Sequence, residues 1–262
     1  MSEPALSQPA TAICRRFDRQ AAHYEQLADL QQAIAWRLAH WIARLPLPPG
    51  PCADLGAGSG LVGQALARQA PGIALQQLDG SPSLLARNPL ARPGLLWDLE
   101  QGLPPDLQHC ALLSSSFTLQ WLNDPATQLQ HWARSLTPGG WLTLALPVAG
   151  SFPQWQEAAT RAQIPCTAQP LPEAHALIDT ASSLLSLRYA RALSFSRPFG
   201  SGGADTARLF LKRVRQLGAG SSNQPPLTPG QWRRLLAHWP ASPLVSWRVL
   251  LLIGQRPGEA NA

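Results

Sequence analysis

Charge is scarce in this sequence. Only 14% of its 262 residues are Asp, Glu, Lys or Arg, against roughly a quarter in an ordinary soluble domain. Lysine is nearly missing: Lys212 is the single one, and arginine supplies the rest of the 21 basic residues. Long hydrophobic runs are missing too. The longest, Leu244 to Gly254, is interrupted by Arg248 and falls short of the roughly 20 apolar residues that a membrane helix needs. The opening MSEPALSQPATAICRR has no basic start followed by an apolar run, so no secretory leader is read there. A cytoplasmic protein without a membrane partner is expected. Cysteine is sparse: Cys14, Cys52, Cys110 and Cys166 lie far apart with no CxxC pair. No zinc or redox motif is spelled, so no metal is expected. In a reducing cytosol the four read as small buried hydrophobes. The net charge of +6 comes with no lysine-rich tail, zinc spacing or RNA module, which argues against nucleic acid. The arginines, with 26 prolines and 10 tryptophans, fit either compositional bias or recognition of an acidic partner.

What is present is ample apolar material, 45% of the chain, enough for one large α/β domain. Residues 1–12 lack periodicity and are expected to be disordered. Between Glu25 and Leu45 apolar residues recur at helical spacing, predicting an amphipathic helix within a cap region 13–45. Short strand-like runs then alternate with helix-like runs. Strands are expected at Cys52–Leu55, Ile73–Leu78, Leu95–Trp97, Cys110–Ser114 and Trp141–Leu146. Helices are expected at 60–69, 82–87 and 126–136, the last ended by Thr137-Pro-Gly-Gly140. Such alternation predicts a parallel sheet with helices on both faces. After Pro147 the pattern changes. Strands are expected at Leu187–Phe195 and Leu244–Ile253, and the nearly 50 residues between them read as mostly helical. That insert, about 200–240, is a candidate lid or partner-binding element within a single domain 13–262.

The strongest local signal is Asp54-Leu-Gly56-Ala-Gly58-Ser-Gly60, after a strand and opening a helix. Glycines there let the backbone pass close to a ligand. The second strand ends in Asp79, placed to accept hydrogen bonds from ribose hydroxyls; Ser81 beside it could cap the next helix. The stretch also spells Gly58-x-Gly60-x-x-Gly63, a dinucleotide pattern that is weak alone. A pyrophosphate would gain nothing from Asp54, whereas a cationic ligand would. Asp98 follows the third strand. An anionic pocket at a glycine loop suits S-adenosylmethionine, a sulfonium and ammonium without phosphate.

These residues together resemble the class I S-adenosylmethionine-dependent methyltransferases. The resemblance implies a Rossmann-like seven-stranded α/β sheet, helices on both faces, and a last strand that runs antiparallel. It implies a cofactor-binding set of Asp54, Gly56, Gly58, Gly60, Asp79, Asp98, Leu99 and Ser115. A narrower resemblance is carried by Phe17-Asp-Arg19-Gln-Ala-Ala22-His23-Tyr24, by Leu119-Gln120-Trp121, by Gly150-Ser-Phe-Pro153 and by Leu211-Lys212-Arg-Val-Arg215. These look like the malonyl-acyl-carrier-protein O-methyltransferase family of biotin synthesis. Ser116 stands where that family often shows Asn, and Ser246-Trp247 where Thr-Tyr is common. Residues 164–191 match nothing in it.

The implied reaction, methylation of a malonyl carboxylate, needs no strong base because the nucleophile is already ionised. The site must hold it in line and exclude water. His23, His109, His131, His175 and His238 are therefore not assigned as bases. Tyr24 is read as the residue facing the reaction centre, with simple packing as the alternative. Phe17, Gln120 and Trp121 are read as acceptor-pocket residues, Trp121 equally as core. A carboxylate calls for a cation, best an arginine. The candidates in the insert are Arg208, Arg213 and Arg215, with Lys212; Arg208, Lys212 and Arg215 fall on one helical face at i, i+4 and i+7. That face is read as holding the malonyl group or docking an acidic acyl carrier protein, with a plain solvated face as the alternative. The rival readings are a methyltransferase for another small molecule, such as a quinone precursor, a non-catalytic cofactor binder, and a nucleic-acid-binding protein.

Overall fold

The computed structural model describes residues 8–91, 94–219 and 225–258, with side chains from residue 12 onward. In chain order the elements are α1 (Gln8–Gln20), α2 (Tyr24–Leu27), α3 (Asp29–Ile42), β1 (Cys52–Leu55), α4 (Leu61–Gln69), β2 (Gln76–Asp79), α5 (Pro82–Leu85), β3 (Leu95–Leu96), β4 (Cys110–Ser116), α6 (Pro125–Arg134), β5 (Leu136–Pro147), α7 (Pro153–Arg161), α8 (Ala174–Ser182), β6 (Ser186–Pro198), α9 (Gly203–Gln216), α10 (Pro229–Ala237) and β7 (Leu244–Gln255). Among the described residues seven strands form one sheet in the order β3-β2-β1-β4-β5-β7-β6. β1 to β5 pair in parallel, and β7 runs antiparallel to both β5 and β6. This is the expected doubly wound sheet with an antiparallel last strand.

Helices cover both faces, so the central strands are apolar on both sides. On β7, Leu250 and Leu252 join one core with Leu55, Leu113, Leu142 and Trp132. The alternate residues Val249, Leu251 and Ile253 join the other with Ile34, Leu38 and Ile42 of α3. Each such side chain contributes roughly 1.5–3 kcal/mol by leaving water. The insert has its own core. Phe210 of α9 is fully buried among Trp155, Phe199 and Trp239, with Leu235 of α10 and Val245 of β7. α10 is set by a capping box: Thr228 Oγ1 accepts from the Gln231 N–H, and the Gln231 side chain accepts from the Thr228 N–H.

Three expectations are corrected. Residues 1–7 lie outside the described residues, but 8–12, expected to be disordered, already belong to α1. Tertiary contacts hold this helix: the Asp18 carboxylate accepts from Ser81 Oγ (2.6 Å) and from the Ser83 N–H (3.0 Å) beside α5. The predicted helix 25–45 is broken at Ala28 (φ −94°, ψ 38°) into α2 and α3. That break lets Tyr24 turn inward while Asp29 opens α3. The run Thr137-Pro-Gly-Gly140 is part of β5 rather than a loop before it. Gly139 takes φ +78°, and a Cβ on Gly140 would lie 2.6 Å from the Cys110 carbonyl oxygen, where the β4–β5 register shifts.

Candidate active site

The order reverses between β1 and β4, and in such sheets ligands bind at the carboxyl ends of the strands beside the switch point. A cavity of about 950 Å³, open mouth included, lies there. Its charged lining is Asp54, Asp79, Asp98 and Glu100, and no basic residue among the described ones borders it. The glycine loop forms one wall. Its glycines have different reasons. A Cβ on Gly56 would lie 2.1 Å from Thr118 Oγ1, and one on Gly60 would lie 2.3 Å from Asn88 Oδ1. A Cβ on Gly58 would meet nothing closer than 3.7 Å. Gly56 and Gly60 thus allow the loop to pack, and Gly58 keeps its backbone open toward the cavity. Gly60 does not line the cavity; it acts through Asn88, which donates to Gln77 Oε1 (3.0 Å) and braces the loop.

Asp79 is oriented by the backbone. Its Oδ2 accepts from the Gly58 N–H (2.8 Å) and its Oδ1 from the Ser81 N–H (2.7 Å). Burial pushes its pKa up to about 6, with those N–H donors opposing the rise. Asp54 is 1% exposed, and neither carboxylate oxygen has a hydrogen-bond partner. Burial first, then the Asp79 charge, raises it to about 7. A buried carboxylate without partners is costly, unless a cation or donor meets it. This orphaned pair of oxygens in an all-acidic cavity fits the ammonium and ribose hydroxyls of S-adenosylmethionine. Asp98 caps the 3-10 turn Leu99–Gln101 by accepting from the Glu100 N–H (3.0 Å), and Leu99 lines the same cavity. Ser115 is not in the lining: it is fully buried and its hydroxyl donates to the Leu55 carbonyl (2.8 Å). Ser116, one residue on, borders the cavity instead.

α1 closes the top. Ile13, Cys14 and Phe17 face the cavity. Cys14 is half-buried, and burial together with Asp79 pushes its thiol up to about 12. Only Cys110 of the four cysteines is fully buried, which corrects the expectation for the others.

A second cavity of about 760 Å³ abuts the first. Phe17, Tyr24, Gln31, Phe117 and Trp121 border both. Phe17 packs edge-on against Trp121 (5.7 Å between centroids) and Tyr24 (6.3 Å). Burial and Asp79 push the Tyr24 hydroxyl above its ordinary pKa, so it stays protonated. Gln120 is 5% exposed; its Nε2 donates to the Phe117 carbonyl (2.7 Å), leaving Oε1 buried without a partner. Among the described residues, the one charged residue in this second lining is Arg213. Its Nη2 donates to Asp29 Oδ2 (2.9 Å), which also takes Arg197, and its Nε has no partner. Arg208, Lys212 and Arg215 are exposed and border neither cavity. The spacing selected the solvent face of α9, and Arg213 lies on the other. Of the four basic candidates of the insert, Arg213 is thus the one at a cavity wall; Gln31, Gln169 and Leu171 were missed, and the last two come from the unplaced stretch 164–191.

Comparison with known proteins agrees with this geometry. A family profile described as a methyltransferase domain matches residues 53–142. A trans-aconitate 2-methyltransferase of Methylobacterium nodulans is 36% identical over 137 residues, half of each chain. A malonyl-[acyl-carrier protein] O-methyltransferase of Alcanivorax borkumensis is 33% identical over 57% of this chain and 52% of its own. The chain thus spans about half the length of these curated relatives. Another protein of the latter name, from Marinomonas, is 26% identical over 94% of both chains. The solved YcgJ protein of Bacillus subtilis superposes with a TM-score of 0.55 at 12% identity, covering 86% of this chain and 99% of that one. No helix among the described residues is long and apolar enough to cross a membrane. With its sheet order, its acidic cavity at the glycine loop and a methyltransferase domain matched over residues 53–142, the chain resembles the class I, S-adenosylmethionine-dependent methyltransferases and, among them, the malonyl-[acyl-carrier protein] O-methyltransferases.

Proposed function

We propose that the protein methylates the free carboxylate of a malonyl group carried on an acidic acyl carrier protein, giving the methyl ester used early in biotin synthesis. The observation that carries this reading is the charge division between adjoining cavities. The cofactor side is bordered by four acids and no base, and the acceptor side by Arg213 alone in an otherwise uncharged lining. One arginine suits one carboxylate. A malonyl thioester has one free carboxylate and an uncharged remainder, whereas trans-aconitate has three carboxylates and would call for more cations.

Bound in the acidic cavity, S-adenosylmethionine supplies an electrophilic methyl carbon. Asp79 would hold its ribose, Asp54 its ammonium, and Asp98 with Leu99 its adenine. Arg213 would anchor the acceptor carboxylate, pinned by Asp29 so that little side-chain freedom is lost on binding. Phe17, Phe117 and Trp121 exclude water from the boundary between the cavities. The Tyr24 hydroxyl, protonated at neutral pH, can donate to the carboxylate oxygen that is not reacting. The carboxylate arrives ionised and the ester leaves neutral, so no proton moves and no base is needed. Loss of that charge also removes the attraction to Arg213, which favours product release.

The test incubates the purified protein and S-adenosylmethionine with malonyl-carrier protein, malonyl-coenzyme A and trans-aconitate in parallel. Methyl ester is followed by mass spectrometry. Ester on the malonyl substrates and rescue of a biotin auxotroph are expected. Turnover of trans-aconitate alone overturns the reading.

A further inference from the structure

Beyond the two cavities lies an open groove that the reaction chemistry leaves unexplained. It encloses about 1050 Å³ and runs between α1, the turn Leu119–Trp121 with the residues after it, and the segment 169–172. Gln120, Trp121, Gln169 and Leu171 border both this groove and the acceptor cavity, so the two are continuous. Among the described residues its one charged lining residue is the half-buried Arg16 of α1, next to exposed Asn123 and Pro170. Pro125, Pro170 and Pro172 stiffen its walls. The buried, unpartnered Gln120 Oε1 belongs to a residue bordering both spaces.

We propose that this groove is the passage for the acceptor's thioester arm. Gln120 Oε1 accepts an amide N–H of the arm, and Arg16 takes the phosphodiester that joins the arm to its carrier. An acidic carrier then docks over the α1 side, where Arg15 and Arg19 are exposed on the same helix as Arg16. Two arginines thus stand at the two ends of an uncharged path, Arg213 within and Arg16 without. That matches a substrate charged at both ends, with a carboxylate at one and a phosphodiester at the other, and neutral between. Arg208, Lys212 and Arg215 on α9 border none of the three spaces, so the carrier is not expected to depend on them. This assignment rests on the malonyl-thioester reading and adds to it the route and the docking face.

The experiment measures KM for three malonyl thioesters: on the carrier protein, on coenzyme A, and on the short N-acetylcysteamine, which has an amide but no phosphate. Arg16→Ala is expected to raise KM about tenfold for the two phosphate-bearing substrates. It should leave KM for the short thioester and the Kd for S-adenosylmethionine unchanged, and Arg16→Lys should recover most of the loss. The double variant Lys212→Ala, Arg215→Ala should behave as the parent protein on all three. An unchanged KM in Arg16→Ala overturns the groove assignment, and so does a raised carrier KM in the α9 variant. Equal loss on all three substrates would make Arg16 merely structural and equally overturns it. If the parent protein methylates none of the three, the malonyl reading itself has failed, which the variants alone would not indicate.

Discussion

Proton release on cofactor binding follows from the two buried aspartates. Asp54 and Asp79 have pKa values raised to about 7 and about 6 in the ligand-free protein. Both are raised above the ordinary carboxylate value, so the ligand-free site holds protons at pH values where free aspartate is fully ionised. A ligand bringing an ammonium and hydroxyl donors prefers the ionised forms, so it must expel those protons. Affinity therefore rises with pH through this range and falls below it. If only the doubly ionised site binds, Kd at pH 6 is weaker than at pH 7.5 by roughly tenfold, about 1–2 kcal/mol. The upper limit stays below the titration of the ligand's own α-amino group, about 7.7–8.0. At pH 6.5 Asp54 is about three-quarters protonated and Asp79 about one-quarter, so binding releases about one proton. Calorimetry in two buffers of different protonation enthalpy reads that number directly. In Asp54→Asn the pH 6 to 7.5 ratio should shrink to about twofold, since Asp79 alone remains. A flat Kd from pH 6 to 7.5 with no proton release would refute both the raised pKa values and the assignment of the cationic ligand to this cavity.

Gly56→Ala should destabilise the fold by roughly 1–3 kcal/mol in denaturant titration, because its Cβ would collide with Thr118 at φ +73°. Gly58→Ala, with space around its Cβ, should cost only about 1–2 kcal/mol of left-handed strain while losing cofactor affinity by calorimetry. Arg213→Met should lower kcat/KM for malonyl substrates by about 10- to 100-fold with the Kd of S-adenosylmethionine unchanged, as expected for a lost charge-assisted hydrogen bond. Tyr24→Phe should lower kcat about tenfold with little change in cofactor Kd if its hydroxyl steers the carboxylate; an unchanged kcat would return Tyr24 to packing. Phe210→Ala should cost about 3–5 kcal/mol by thermal or denaturant unfolding, since it empties the centre of the insert core.

The acidic cavity at the glycine loop was legible because its signals are local. The residues Asp54 to Gly60 and Asp79 sit at strand ends whose position follows from apolar runs and glycine spacing, and the sheet order turns those ends toward one crevice. Even there, one residue decided between outcomes. Side chains alternate along a strand, and Ser115 turned to the Leu55 carbonyl while Ser116 met the cavity. Gly56, Gly58 and Gly60 look alike in the sequence, and only their neighbours distinguish packing from ligand access.

The second cavity depended on tertiary structure. Helical spacing groups Arg208, Lys212 and Arg215 on one face of α9 and cannot say whether that face meets solvent or substrate. Burial of Phe210, Leu211 and Val214 rotates the helix so that those three point outward. Asp29, 184 residues away in the chain, then fixes Arg213 at the cavity wall. Likewise Gln169 and Leu171 carry no motif, and they reach the acceptor cavity because the chain between α7 and α8 folds back across it. The sequence alone determined the fold class, the glycine loop and the acidic side of the site, since these follow from periodicity and short-range spacing. Which arginine borders the second cavity, which serine borders the acidic one and where the groove opens were decided only when helices distant in sequence packed together, because side-chain direction is set by the core each helix must bury.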